Sequence, residues 1–313
     1  MNDERRAHRE DEEWLSAYLF LESGLYDVPC DQIVVQVIAP MMMEYLHNAW
    51  IDRFFFIRYA ENGPHVRLRV HGKVDALRTL VKPALAQRVT ALHGTAHSLR
   101  DIRWIAYEPE IERYGGPHAL PVAEDFFCQS SDIVCRWLTG LDETNRSRRL
   151  GRGLLAMVSL AHAAASDLSM AVTFLNAYGR SYLRRLVNDT SSQASWITAV
   201  DGKYATQSTQ LAPFVSQTWM HLEQEEEISG IVGEYANAAH ETMRRLRELH
   251  AAGRVYARNN TIQDWAATAR FIAASLMHMT SNRLGITIAE EAYLSSLAGH
   301  ALSTVSAAGA EIA

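Results

Sequence analysis

The run Gly63-Pro64-His65-Val66-Arg67-Leu68-Arg69-Val70-His71-Gly72 decides how the first third of the chain is read. Val66, Leu68 and Val70 are apolar, and the residues alternating with them, His65, Arg67, Arg69 and His71, are basic or can become so. A strict period of two marks a β-strand whose successive side chains point to opposite faces. One face suits a core. The other sets two guanidinium-bearing residues two strand positions apart, roughly 6.6 Å. Such a fork on a rigid element suits a carboxylate or another oxyanion. The plainer reading is an exposed strand with solvated charges.

Working outward, Arg53–Tyr59 (RFFFIRY) is a second, aromatic-rich strand, and the turn Glu61-Asn62-Gly63-Pro64 joins it to the first. Four residues containing a glycine is hairpin length, so 53–71 is expected as a β-hairpin. Upstream, Trp14–Leu25 reads as a strand. Asp31–Trp50 has helical spacing interrupted by Pro40, a kinked helix or two pieces. Downstream, Lys73–Leu92 is helical in pattern despite Pro83, Asp101–Tyr107 is a strand, and Glu108–Pro117 is a loop punctuated by proline and a double glycine.

The character then changes. Pro121–Leu138, Arg148–Asp167, Ser169–Val187, Gln217–Ser229, Glu234–Ala252, Thr261–Arg283 and Ala289–Ala307 all carry helical periodicity. The fold class is α+β, with a sheet in the N-terminal third and helices beyond it. Residues 1–12 are expected as a disordered, charged tail and 13–313 as a single domain. The polar stretch 188–210 is expected as a mobile loop, a candidate lid.

The 313 residues are 48% hydrophobic with a formal net charge of −6, and the pI is about 6.1. This is not the balance of a general nucleic-acid binder. Cys30, Cys128 and Cys135 form no CxxC, a sparse and odd count that suits a reducing cytoplasm. Neither a secretory signal nor an apolar run of about 18 residues is present, so no membrane partner is expected. Walker, GxGxxG, GxSxG and HExxH motifs are missing, and no cofactor or metal is implied. His93 and His97 have a metal-compatible spacing without a third ligand nearby and read as a helix-end pair.

Two further places could carry chemistry. Glu110 and Arg113 lie in the loop that follows a strand. His278 and Asn282 are i,i+4 on a helix that is apolar almost all round, Phe271–Arg283, where polar side chains need partners or a cavity.

In order along the chain, RFFFIRY…GPHVRLRVHG, YEPEIERYGG and SLMHMTSNRLG resemble the C-terminal, glutamate-eliminating domain of lantibiotic dehydratases, which also occurs as stand-alone thiopeptide-type bacteriocin biosynthesis proteins. The resemblance runs from about Trp14 to Gly285. It implies a lyase that removes glutamate from glutamylated Ser or Thr of a precursor peptide, leaving dehydroalanine or dehydrobutyrine. It places Arg67, Arg69, Glu110, Arg113 and His278 as catalytic, with His65, Tyr114 and Asn282 as substrate contacts. The implied partners are the precursor peptide, leader and core, and a separate tRNA-dependent glutamylation protein. A homodimer is left open, and direct contact with nucleic acid is not expected. On this resemblance the chain looks like the split form that only eliminates.

A β-elimination needs a base, cations or donors for the developing enolate, and a site for the leaving carboxylate. The arginines suit the glutamyl unit or the peptide carbonyl, and His278 is the natural proton carrier. The reading therefore predicts that Arg67 and Arg69 converge with Arg113 and His278. Two other readings stand beside it: an aza-[4+2] cycloaddition forming a thiopeptide pyridine, and a non-catalytic scaffold that grips the leader peptide.

Overall fold

A computed structural model describes residues 12–92, 99–140, 146–224, 230–256 and 263–310, the last six of these as backbone only. His93 and His97 lie outside the described residues, as does the expected tail up to residue 11. The chain divides into two compact units: Met1–Pro109 with Val134–Glu143, and Glu110–Ile133 with Thr144–Ala313.

The first unit is built on a four-stranded antiparallel sheet in the order β2-β3-β1-β4. The strands are β1 (Glu12–Leu21), β2 (Arg53–Tyr59), β3 (His65–Lys73) and β4 (Leu99–Trp104). The hairpin predicted from the alternating run is present, with Ile57 opposite Arg67 and Phe55 opposite Arg69. On the other side of β3, Tyr18 faces Arg67 and Ser16 faces Arg69. Strand β1 starts at Glu12, two residues before the sequence pattern does, and ends at Leu21 rather than Leu25.

Between β1 and β2 run α1 (Val28–Ile33), a π-helical turn (Val34–Ile38) and α2 (Ala39–His47). The π turn precedes Pro40, whose ring and missing N–H cannot continue an α-helical ladder. The same device recurs after β3: α3 (Val74–Ala76) passes through a π turn (Leu77–Val81) into α4 (Lys82–Leu92), which carries Pro83 at its start. Val66, Leu68 and Val70 of β3 are almost completely buried, with Leu19, Phe54 and Phe56 on the same sheet face. Arg58 sits on that face, 1% exposed. Its guanidinium donates to Asp31 Oδ1 at 2.6 Å and to the Leu25 carbonyl at 2.8 Å, so the buried charge is paired and hydrogen-bonded.

The second unit is helical. After a 3-10 turn (Ile111–Tyr114) come α5 (Leu120–Thr139), whose last residues cluster with the first unit, and α6 (Arg146–Ala164), α7 (Leu168–Leu186), α8 (Thr190–Glu223), α9 (Gly230–Ala251), α10 (Trp265–Leu284) and α11 (Ile288–Ala310). Helix α11 packs on α7 and α8, and α6 packs on α9 and α10. The polar stretch 188–210 is not a loop. From Thr190 on it forms the first part of the 34-residue α8, capped by Asp189, whose carboxylate accepts from the Ser192 N–H at 2.7 Å. Its serines, threonines and glutamines are mostly surface residues of a helix, so an apolar stripe is thin there and the helical signal is weak in sequence. Helix α10 ends on arginines of α6: Arg149 donates to the Leu284 carbonyl at 2.8 Å and Arg146 to the Gly285 carbonyl at 3.0 Å. Positive charge at that end also suits the helix dipole.

Among the described residues no helix is long and apolar enough to cross a membrane.

Candidate functional site

In the first unit the arginine face of β3 is not a solvated edge. His65, Arg69 and His71 are all buried, and the Arg67 side chain is 16% exposed. The cover is aromatic. The Arg67 guanidinium lies 3.4 Å from the Tyr59 ring centroid and 4.6 Å from that of Tyr18. Arg69 lies 4.9 Å from the Tyr107 centroid and 5.4 Å from that of Phe55. Trp14 closes the group, edge-on to Phe55, His71 and Tyr107. Aromatic faces attract a cation and stiffen its side chain without using its N–H donors.

His65 is tied in by its hydrogen bonds. Nδ1 is 2.8 Å from the Gly63 carbonyl, which can only accept, so Nδ1 donates. Nε2 is then the lone-pair nitrogen and accepts from Arg67 Nε at 3.1 Å. Burial, opposed by the Gly63 hydrogen bond and reinforced by the charges of Arg67 and Arg69, pushes the His65 pKa down and keeps the ring neutral. The Tyr18 ring stacks on it at 4.9 Å and 15°. His65 therefore aims Arg67, with both ring nitrogens used within the protein.

In the second unit the loop Glu110–Gly116 is shaped by its glycines. Gly115 has φ +93°, and a Cβ there would sit 2.8 Å from Val255 and 2.9 Å from Ile272. At Gly116, φ +101°, it would meet the Tyr256 ring at 2.5 Å. Only glycine suits both the left-handed backbone and the space. The Gly115 carbonyl accepts from the Tyr256 N–H at 3.2 Å. Tyr114 is 3% exposed, its ring against Phe127, and burial raises its phenol to about 12. It anchors the turn that presents Arg113.

Arg113 Nη1 donates to Glu110 Oε2 at 2.8 Å, and Nε donates to Ser275 Oγ at 3.3 Å. Nη2 has no hydrogen-bond partner among the described residues. Ser275 lies one turn before His278 on α10, so the arginine is pinned to the helix face that carries the histidine. His278 is 19% exposed at its side chain, and its Nδ1 lies 2.9 Å from Glu291 Oε1 and 3.1 Å from Oε2. Tyr178 donates to Glu291 Oε2 at 2.6 Å, and the Tyr182 ring lies 5.4 Å from that of His278. Asn282, one turn beyond His278, is half-buried on the same helix. Arg283 is fully buried and donates to Ser130 Oγ at 3.0 Å, a structural role inside the late motif.

The predicted residues thus fall into two groups. Arg67 and Arg69 share one wall with His65 in the first unit. In the second, Glu110 pairs with Arg113, which meets α10 at Ser275, one turn from His278, with Tyr114 supporting the loop and Asn282 one turn beyond the histidine. Sequence reasoning missed Glu291, Ser275, Tyr178 and Tyr182. The signal for Glu291 was the one that marked His278: an ionisable side chain among Ile288, Ala292 and Leu294 in an apolar helix.

Other features of the described residues are separate from these groups. Glu12, Asp52 and His71 could bring three ligand atoms within 4.8 Å of one another, but His71 Nδ1 is already 2.8 Å from Asp52 and the two acids are exposed. That geometry is a histidine–carboxylate hydrogen bond. A cavity of about 1110 Å³ in the second unit is lined by His162, His240, Trp219 and Trp265, and neither Arg113 nor His278 borders it. There His162 Nδ1 lies 2.7 Å from His240 Nε2, and burial, helped by His240, pushes the His162 pKa down to about 4.

A family model described as lantibiotic biosynthesis dehydratase, C-terminal, matches residues 14–302. The subtilin biosynthesis protein SpaB of Bacillus subtilis is 39% identical over 82 residues, 26% of this chain and 8% of its own. The nisin biosynthesis protein NisB of Lactococcus lactis subsp. lactis is 35% identical over 91 residues, 29% of this chain and 9% of its own. These curated relatives are matched over less than a tenth of their length. Three solved structures share the fold. TsrL has a TM-score of 0.72 at 15% identity, covering 94% of this chain and 95% of its own. TbtD, titled a pyridine synthase from thiomuracin biosynthesis, scores 0.71 at 19%, covering 93% and 98%. MibB, titled a tRNA-dependent lantibiotic dehydratase from Microbispora sp. 107891, scores 0.66 at 21%, covering 94% and 28%.

Proposed function

Because this chain belongs to the lantibiotic biosynthesis dehydratase C-terminal family, we propose that it removes glutamate from glutamylated Ser or Thr of a precursor peptide, leaving dehydroalanine or dehydrobutyrine. The observation that carries the reading is in the second unit. Arg113, with Nη2 unengaged, and His278, with no hydrogen bond to its Nε2 among the described residues, are held on one helix face through Ser275. A guanidinium beside an accepting imidazole is what the reaction asks for: a cation for carboxylate charge and an acceptor for the Cα proton.

In this reading the Cα–H pair becomes the Cα=Cβ bond, the Cβ–O bond breaks, and its electrons leave on the glutamate carboxylate. Glu110 turns Arg113 toward the glutamyl unit and can meet its ammonium group. Arg67 and Arg69 of the first unit, stiffened by their aromatic cover, have the chemistry to bind a carboxylate or polarise a peptide carbonyl. Asn282 borders the substrate, and Tyr114, 3% exposed, supports the loop from below. The partners are the precursor peptide and a separate protein that charges it with glutamate from glutamyl-tRNA, with the cytoplasm as the setting.

The test is a competition. The purified protein is offered one peptide carrying glutamyl-Ser and one carrying two dehydroalanines. Release of glutamate from the first supports elimination. Consumption of the second alone overturns it in favour of aza-[4+2] cycloaddition, and binding without change to either overturns it in favour of a leader-binding scaffold.

A further inference from the structure

We propose that Glu291 is the positioning residue that makes His278 Nε2 the base of the elimination, an inference that rests on the reading above and assigns the proton step to one atom.

Glu291 is 1% exposed on α11. A carboxylate so deeply buried needs donors, and two stand out among the described residues. One is the Tyr178 hydroxyl at 2.6 Å. Burial first, and then the charge of Glu291, hold that phenol well above its ordinary range, so it stays protonated and donates. The other is His278 Nδ1 at 2.9 Å. An ionised carboxylate only accepts, so Nδ1 must carry the hydrogen. A neutral imidazole has a single N–H, which leaves Nε2 as the lone pair.

The ring is flanked by an aromatic neighbour. Tyr182 lies along it at 5.4 Å between centroids and 36° between planes, and the Arg185 guanidinium sits 4.6 Å from the Tyr182 centroid on its own helix. Nε2 meets no hydrogen-bond partner among the described residues, and Ser275, which pins Arg113, lies one helical turn away. When Nε2 takes the Cα proton, the imidazolium forms against a fixed negative charge. The proton then passes to water as the glutamate carboxylate departs. Glu291 touches no reacting atom. Its effect is to select the tautomer, hold the ring and offset the imidazolium charge, as the third member of a hydrolase triad does.

The experiment has a spectroscopic arm and a kinetic arm. Nitrogen-15 spectra of the full chain labelled at histidine, with His278→Ala to assign the signals, report which nitrogen is protonated. The expected result is a proton on Nδ1 and a bare Nε2 in the wild type, with the preference lost in Glu291→Leu. A protonated Nε2 in the wild type overturns the proposal whatever the activity. In the kinetic arm, Glu291→Gln lowers kcat on a glutamylated peptide by about 10²-fold or more with KM within about threefold, and Glu291→Asp recovers part of the loss. Unchanged kcat in Glu291→Gln overturns it. Should that variant not fold, Tyr178→Phe keeps the carboxylate and removes its second donor, together with the hydroxyl contact to Tyr182. It should keep the wild-type tautomer and lose less than about tenfold in kcat, and a tautomer that switched in it would contradict the assignment. A wild-type protein inert to the glutamylated peptide but showing the Nδ1–H tautomer refutes elimination while leaving the positioning of His278 intact.

Discussion

His278 Nδ1 and Glu291 Oε1 stand 2.9 Å apart, on two helices thirteen residues apart in the chain. The pair joins a partly exposed imidazole to a carboxylate closed off from water. With Arg113 fastened one turn away through Ser275, it gives the second unit a cation and a proton acceptor on one surface.

Arg113 should tolerate neither loss nor exchange. Arg113→Lys keeps a charge but cannot reach Glu110 and Ser275 together while leaving a donor for substrate. Both Arg113→Lys and Arg113→Ala should reduce kcat/KM for the glutamylated peptide by about 10²-fold or more. Ser275→Ala removes one 3.3 Å hydrogen bond and should cost less than about tenfold. Steady-state kinetics on the three variants checks the order.

The double glycine makes a stability prediction. Gly115→Ala puts a Cβ 2.8 Å from Val255 at φ +93°. It should destabilise the chain by about 1–3 kcal/mol and displace Arg113 with it. Thermal unfolding should show the loss, and activity measured well below the new midpoint should stay low.

The buried Arg58–Asp31 pair should respond sharply to loss of one partner. Asp31→Ala leaves a guanidinium that is 1% exposed without its carboxylate and should cost about 3–5 kcal/mol in denaturant unfolding. Replacing both residues together with methionine and leucine should cost much less.

The His162 ring predicts a pH dependence with a definite sign. Its folded pKa is down at about 4, from an ordinary 6.5, because burial and His240 disfavour its charge. Between those values the unfolded chain binds the extra proton, so stability rises with pH through that window and falls as pH drops from 6.5 toward 4. Melting temperatures of the wild type and His162→Phe across that range should show a shallower dependence in the variant.

Much of this was legible in sequence. The alternation at 65–71 placed β3, the aromatic run at 53–59 placed its partner, and the glycines of 115–116 marked a loop. Period two also separated the arginine face from the apolar one. What it did not convey is that both faces are covered, because the cover comes from Tyr18, Tyr59, Phe55 and Tyr107, brought in by pairing distant strands and by the segment after β4. The helix at 190–223 was hidden for the opposite reason: its early turns bury too little for the pattern to register. Glu291 was hidden by Glu290 beside it. Two acids in the first turn of a helix read as dipole partners, yet Glu290 pairs with Arg146 while Glu291 turns inward to Tyr178 and His278. Tyr178 and Tyr182, four apart on one helix, carry no pattern that sets them apart from core aromatics.

The most direct measurement of the elimination reading is mass spectrometry of the precursor peptide made in cells together with its glutamylating partner and this chain, as wild type, Arg67→Ala or His278→Ala. The wild type should give dehydrated peptide, and both variants should give peptide that keeps its glutamate adducts. Fully dehydrated peptide from both variants would contradict the account.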